Sequence, residues 1–458
     1  MHPFASYVLR SYYKATGWNE DNLYANLTRS SSALLDFTVP HGLHFSVSKS
    51  PNALFKTTYA MTAMPSLHGS VGYIFTSCDL DVKSSGNVRF KDMIERFKVY
   101  DQPRRPETPE EEWLAGELVR KRDYLLYGRF FLPTGRLDAL YSTRLTPTIQ
   151  ASISAISDPP SLRGQKGDMS NVMINLQHDV GKWCSEYTWS AEDEMWGVRV
   201  LHNFGKIGGA GAGASDVADD AAARGRGVKR VDEEDGIEGG LKGRVSVGGE
   251  FYFSAKERSA GVSTGIRFTT LPDATPPSFQ IPTSSPTSPL SSSPLSHARG
   301  PPFQPPTTIT ALFNPMLGHI SSAYTARVSP DLALSSRFDF NVYSFESEWA
   351  MGVEWWLRRP PTVVEPSSAL PSSSSSSTPS SPPSSSSESA PPSLTTIPSP
   401  LEVNGVVKAR ASTNNDVSLM WEGRLRNMLV SLGVVSDLSS RSKPIKSLGL
   451  EVAFFSSE

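Results

Sequence analysis

Gly261-Val-Ser263-Thr-Gly265 has the spacing of a GxSxG nucleophile elbow, in which a serine on a tight strand-to-helix turn attacks a carbonyl. Here Ile266, Arg267 and Phe268 continue a strand instead of opening a helix. Ser263 is therefore read as a strand residue, and its flanking glycines as relief of crowding where the strand bends. The run Gly208 to Gly213 looks superficially like a phosphate cradle, but no Lys-Ser/Thr follows it and no strand–helix–strand unit surrounds it, so it reads as flexible loop. His41 and His44 stand three apart and His178, His202 and His319 are scattered; without HExxH or Cys/His spacing they read as polar or interface residues. Cys78 and Cys184 are too few and too distant for a disulfide scaffold or a paired metal ligand. Asn26-Leu-Thr28 is a glycosylation sequon that matters only in a secreted chain, and the N-terminus lacks the apolar core and cleavage site of a secretory signal. No catalytic residue, cofactor site or metal site is expected, and the chain reads as a non-enzyme.

The elements that would carry any function have to be read from pattern instead. Among 458 residues, 44 Lys plus Arg face 46 Asp plus Glu, giving a formal charge of −2 and 20% charged residues. That balance argues against a nucleic-acid binder or a strongly basic membrane-surface protein. Hydrophobic residues make up 38%, below the roughly 45–50% of a globular domain in a tally that counts Gly. With 34 Gly and 36 Pro, part of the chain does not pack. No stretch approaches the ~18 consecutive apolar residues of a spanning helix, and runs such as Met428 to Val435 are strand-sized, so a helical membrane protein is excluded.

Four insertions break the pattern: a charged, Pro-containing segment at 79–123, a Gly/Ala and mixed-charge tract at 205–242, and Pro/Ser-rich tracts at 271–306 and 359–401. They cannot bury enough apolar area to offset about 1–2 kcal/mol per residue of backbone ordering, and are expected to be disordered or loosely ordered loops. Between them the period is two. Leu137, Ala139, Tyr141, Thr143 and Leu145 alternate with Asp138, Leu140, Ser142 and Arg144; Phe338, Phe340 and Val342 alternate with Arg337, Asp339 and Asn341. Trp349, Met351, Val353, Trp355 and Leu357 form another apolar face with Glu354 opposite. Such segments are strands with one apolar and one wet face. Only the first residues suggest a helix, with Phe4, Tyr7, Val8 and Tyr12 spaced to share one face.

Counting every candidate gives about nineteen strands of around ten residues, the length a tilted strand needs to cross a bilayer. The insertions follow the third, ninth, eleventh and fifteenth strands, so in an up-and-down meander all four emerge on one side, and four further strands bring the C-terminus there too. A soluble sandwich also alternates. The strand number and the tryptophans near strand ends (Trp183, Trp189, Trp196, Trp349, Trp355, Trp356) favour a membrane barrel with interfacial girdles. In lipid the sheet must close, because each unsatisfied edge N–H or C=O would cost several kcal/mol. The expected fold is an all-β transmembrane antiparallel barrel, porin-like. An N-terminal segment with a short helix (1–36) precedes the barrel (37–455).

Ser447, Gly449, Val452 and Phe454 fit a polar, any, Gly, any, any, apolar, any, apolar pattern close to the end of the chain. This pattern resembles the mitochondrial β-signal read by the outer-membrane sorting machinery. On the same face assignment Arg199, Arg337, Asp339 and Glu354 point into the lumen, as a charged pore wall, as a seat for the N-terminal helix, or as ordinary inward polarity.

The blocks "ATGWNEDNLYANL" (Ala15 to Leu27), "GSVGYIFTS" (Gly69 to Ser77), "DYLLYGRFFLPTGRLDALYSTRLTPTIQ" (Asp123 to Gln150), "DVGKWCSEYTWSAEDEMWGVRVLHNFG" (Asp179 to Gly205), "STGIRFTTLP" (Ser263 to Pro272) and "SSRFDFNVYSFESEWAMGVEWW" (Ser335 to Trp356) resemble the fungal mitochondrial distribution and morphology protein ten family. The resemblance runs from the first residues to the last strand and leaves the insertions out. It implies a multi-pass barrel of the mitochondrial outer membrane, with nineteen strands and a lumen-associated N-terminal helix, similar in architecture to the voltage-dependent anion channel. It further implies two roles: membrane anchor of the ER–mitochondria encounter structure, holding its lipid-transfer subunits at the contact, and accessory subunit of the sorting and assembly machinery for β-barrel precursors. The expected partners are those two sets of subunits and the phospholipid bilayer, without nucleic acid. The alternatives are a solute pore like the voltage-dependent anion channel and a soluble β-rich binding protein.

Overall fold

A computed structural model of the chain describes residues 3–80, 82–99, 123–159, 170–204, 243–270, 305–358, 403–439 and 444–457, and the backbone of a two-strand hairpin at Glu112–Leu114 and Glu117–Val119. Nineteen strands form one sheet. In chain order they are β1 (Gly42–Ser50), β2 (Phe55–Met64), β3 (His68–Thr76), β4 (Tyr124–Leu132), β5 (Leu137–Thr146), β6 (Ile149–Ser157), β7 (Asn171–Asp179), β8 (Trp183–Ser190), β9 (Met195–Asn203) and β10 (Gly243–Ser254). The remainder are β11 (Ser259–Thr270), β12 (Thr307–Asn314), β13 (His319–Ser329), β14 (Leu332–Asn341), β15 (Ser347–Arg358), β16 (Val403–Ser412), β17 (Asp416–Leu425), β18 (Met428–Asp437) and β19 (Ile445–Ser457). Each pairs antiparallel with its neighbour in sequence, and β19 returns to pair with β1, so the sheet closes and no edge faces lipid.

The closing pair is parallel, running from Gly42 opposite Gly449 to Ser50 opposite Ser457. An odd number of alternating strands leaves the first and last pointing the same way, so one parallel seam is unavoidable. The same alternation puts the ends of β3, β9, β11, β15 and β19 at one mouth, here called the loop mouth. The expected insertions at 205–242 and 359–401, nearly all of 271–306, and part of 79–123 lie outside the described residues.

The strands present their apolar side outward. In β1, Phe45 and Val47 are exposed while Ser46 and Ser48 are buried; in β15, Trp349, Met351 and Trp355 are exposed while Ala350 and Glu354 are buried. Exposed apolar side chains are what lipid requires. Trp183 and Trp355 lie near the loop mouth, and Trp189, Trp196 and Trp349 near the other, two belts at the interfaces. Trp356 departs from the expected girdle. It is buried inside, edge-on to Phe90, with its indole N–H donating to Glu354 Oε1 at 2.7 Å.

The lumen holds two pieces of chain. The first begins with α1 (Pro3–Thr16), whose buried Phe4, Val8 and Tyr12 pack on Ile74, Leu125, Tyr127 and Phe455 near the loop mouth. Phe4 and Val8 each contribute about 1.5–3 kcal/mol on burial. The chain then descends through a 3-10 turn (Tyr24–Asn26) and α2 (Arg29–Leu35) to β1, which starts at the far mouth. The helical turns after Thr16 were not expected from the sequence.

The second piece is residues 82–99, with the short helix α3 (Phe90–Met93), and it corrects the expectation of a loose loop across 79–123. Leu80, Val82, Val88, Phe90, Ile94 and Phe97 are buried against the wall or α1, while Lys83, Arg89, Glu95 and Lys98 are exposed. The charge that suggested an unpacked loop belongs to the face turned to the aqueous lumen.

Candidate functional site

The distinctive chemistry of the molecule is the way its inner wall grips these two segments. Cations on the polar side of the strands donate to main-chain carbonyls that helix ends and irregular backbone leave unpaired. Arg144 on β5 donates to the carbonyl of Thr16, the last residue of α1, and to Pro147 O at 3.0 Å. Arg410 on β16 donates to Leu35 O, the last residue of α2, at 3.0 Å. Arg267 on β11 reaches Asn26 O at 3.4 Å. A guanidinium at a helix C-terminus satisfies an orphan carbonyl and also opposes the negative end of the helix dipole.

The second segment is held in the same manner. Arg424 on β17 donates to Gly86 O at 3.0 Å and to Val88 O. Lys408 on β16 donates to Glu95 O. Arg327 on β13 donates to Phe97 O at 3.1 Å and lies 5.5 Å from the centre of the Phe97 ring. Carboxylates serve the N–H groups: Glu354 Oε2 accepts from Phe97 N at 3.1 Å, Glu186 Oε1 from Tyr24 N at 3.1 Å, and Asp179 Oδ1 from the Asn22 side chain at 2.8 Å.

Arg337 on β14 donates to Asp36 Oδ2 at 2.7 Å, one residue past α2, and its Nε donates to Asp339 at 3.0 Å. Glu354 joins Phe97 to Trp356. Arg199 on β9 sits between wall carboxylates, with Glu250 at 2.7 Å and Glu186 at 3.9 Å, and so orients the acid that receives Tyr24 N. Ser263 is no elbow. It lies inside β11, and its hydroxyl is 2.9 Å from the Tyr24 hydroxyl. The arginines at 144, 267, 327, 410 and 424 and Lys408 were not singled out from the sequence, although each stands on the polar side of an alternating strand.

Ser447 and Gly449 lie on the inner face of β19, whereas Phe454 faces lipid with 37% of its surface exposed. Across the seam Val452 is opposite Phe45 and Phe454 opposite Val47. A Cβ on Gly449 would fall 2.1 Å from the Pro40 carbonyl oxygen, so only glycine lets the N-terminal segment turn into β1 there.

Replacing Arg144 by Met is expected to free the Thr16 carbonyl at a cost of about 1–3 kcal/mol. Hydrogen exchange of the backbone at Gly17 and Trp18, which hydrogen-bond back to Lys14 and Tyr13, should quicken. Exchange as slow as in the unaltered chain would show that the guanidinium does not hold the helix end.

A family model described as Mitochondrial distribution and morphology protein 10 matches residues 1–399 and 395–457. Relatives of that name from Laccaria bicolor and Postia placenta are 75% and 68% identical, each over 100% of both chains. A third, from Cryptococcus neoformans, is 41% identical over 99% of each chain.

Proposed function

Because the chain belongs to the Mitochondrial distribution and morphology protein 10 family, we propose that this outer-membrane barrel anchors the ER–mitochondria encounter structure and serves the sorting and assembly machinery as an accessory subunit. The family places it in mitochondrial distribution and morphology, and the closed nineteen-stranded sheet makes it a mitochondrial outer-membrane barrel. The observation that carries the finer reading is the occupied lumen. With two segments bonded to the wall from inside, the surfaces left for partners are the outer wall, the rims and the loops. A rigid ring of this kind holds lipid-transfer subunits at a contact without performing chemistry itself. On this reading Ser447, Gly449, Val452 and Phe454 are the sorting signal of the barrel's own precursor.

The test is replacement. The chain, expressed in a fungus lacking its own family member, should restore tubular mitochondria and should crosslink in intact mitochondria to lipid-transfer subunits and to the sorting machinery. Membrane-integrated chain that restores neither shape nor crosslinks would overturn the reading. The pore alternative predicts robust ion-selective currents in a planar bilayer. The occupied lumen predicts that the purified barrel passes small currents compared with an open nineteen-stranded pore.

A further inference from the structure

Between the two lumenal segments lies a cavity of about 740 Å³. Among the described residues its lining comes from 7–33 and 79–98 and from no barrel strand, so the two segments form the chamber between them. Among the described residues eight lysines and arginines line it against five carboxylates. Three of those carboxylates are already engaged: Glu20 by Arg29 at 3.3 Å, Asp21 by Lys98 at 2.6 Å and Glu95 by Arg10 at 3.5 Å. Lys14, Lys83 and Arg89 are exposed in the chamber and, among the described residues, form no ion pair.

We propose that this chamber binds a small organic phosphate carrying several negative charges. The volume falls within the ~300–1,000 Å³ of small-molecule sites. Several cations carried on two separate segments suit a ligand whose charge is spread over more than one group, and Arg and Lys together are the usual donors to phosphate oxygens. Lys91 registers the crowding: its ammonium is pushed below its ordinary value by burial and then by Arg96, Arg327 and Arg358. Access is through a mouth, because the closed wall bars lipid from entering sideways; a soluble phosphate ester and a headgroup reaching over the rim share this chemistry. The inference stands apart from the tethering role.

The full-length chain in detergent micelles should bind ATP in isothermal titration calorimetry at low salt, with affinity falling as salt rises. The triple variant Lys14→Gln, Lys83→Gln, Arg89→Gln should weaken ATP binding by about tenfold or more, equivalent to ~1.4 kcal/mol, with an unchanged melting temperature in the absence of ATP. The charge-preserving variant Lys14→Arg, Lys83→Arg, Arg89→Lys should retain binding. Competition by glycerophosphoinositol at the same variant-sensitive site assigns the ligand to lipid headgroups, and failure to compete assigns it to soluble phosphate esters. Absence of ATP binding, equal binding by the glutamine variant, or loss of binding in the charge-preserving variant would each overturn the proposal.

Discussion

Gly449→Leu is expected to abolish the folded barrel or to leave it at least 3–5 kcal/mol less stable, the scale of severe overpacking against atoms that cannot move aside. The added Cβ alone would lie 2.1 Å from Pro40 O and 2.7 Å from His41 N, both main-chain atoms of the segment leading into β1. Relief would require shifting either that segment or the seam pairing of Gly449 with Gly42. Phe454→Asp acts differently. Phe454 faces lipid near the loop mouth, where an acid costs about 1 kcal/mol or less because the penalty falls toward the interface. The two substitutions therefore separate packing from sorting. Refolding of each purified variant in detergent, beside import into isolated mitochondria, is the measurement. Phe454→Asp should refold and yet insert poorly if the terminal strand is read as a signal, whereas Gly449→Leu should fail in both settings. A Gly449→Leu chain that refolds with a native melting temperature would refute the packing account.

Glu354→Leu should be the most damaging single change on the inner wall away from the seam. Glu354 is fully buried, and Lys408, 2% exposed, lies directly opposite it in register on β16. The carboxylate also accepts from Phe97 N and from the Trp356 indole. Removing a buried carboxylate that faces a buried ammonium leaves that charge less compensated and orphans two N–H groups, at a cost of about 3–5 kcal/mol. The loss should be local as well as global, since Phe97 ties the end of the 82–99 segment to the wall. Thermal unfolding in detergent should show a lower midpoint, and limited proteolysis should cut within 82–99 before it cuts the barrel. Glu354→Gln, which keeps an acceptor oxygen for one of the two N–H groups and the volume of the side chain, should lose less. Equal resistance of the 82–99 segment in Glu354→Leu and the unaltered chain would show that the buried carboxylate does not retain it.

The barrel was legible because lipid outside and water inside impose strict alternation on each strand, as between Leu137 and Leu145, and because insertions separated by even numbers of strands fix a common mouth. α1 was legible from the spacing of Phe4, Val8 and Tyr12. By contrast, α2 has no acidic first turn and no side-chain cap, and its stability comes from Leu34 and Leu35 packed on the wall and from Arg410 at its end. None of those is a local signal. The 82–99 segment was misread for a related reason: its charge balance is that of a solvent loop, but its solvent is inside the molecule. Four lumenal charges could be placed on a face from periodicity alone. Which carbonyl or carboxylate each meets, such as Arg337 with Asp36 some 301 positions away, is a property of the closed ring.

The parallel seam carries a topological corollary. α1 rests at the loop mouth while β1 starts at the opposite one, so the residues joining them are threaded lengthwise through the cylinder. A finished ring could acquire that thread only by drawing its free end through afterwards, past a cluster of buried aromatic rings. Zippering of β19 onto β1 is therefore expected to come last, sealing a strip of chain already laid inside, and whatever escorts the nascent barrel must keep this one slit ajar until the thread is in place.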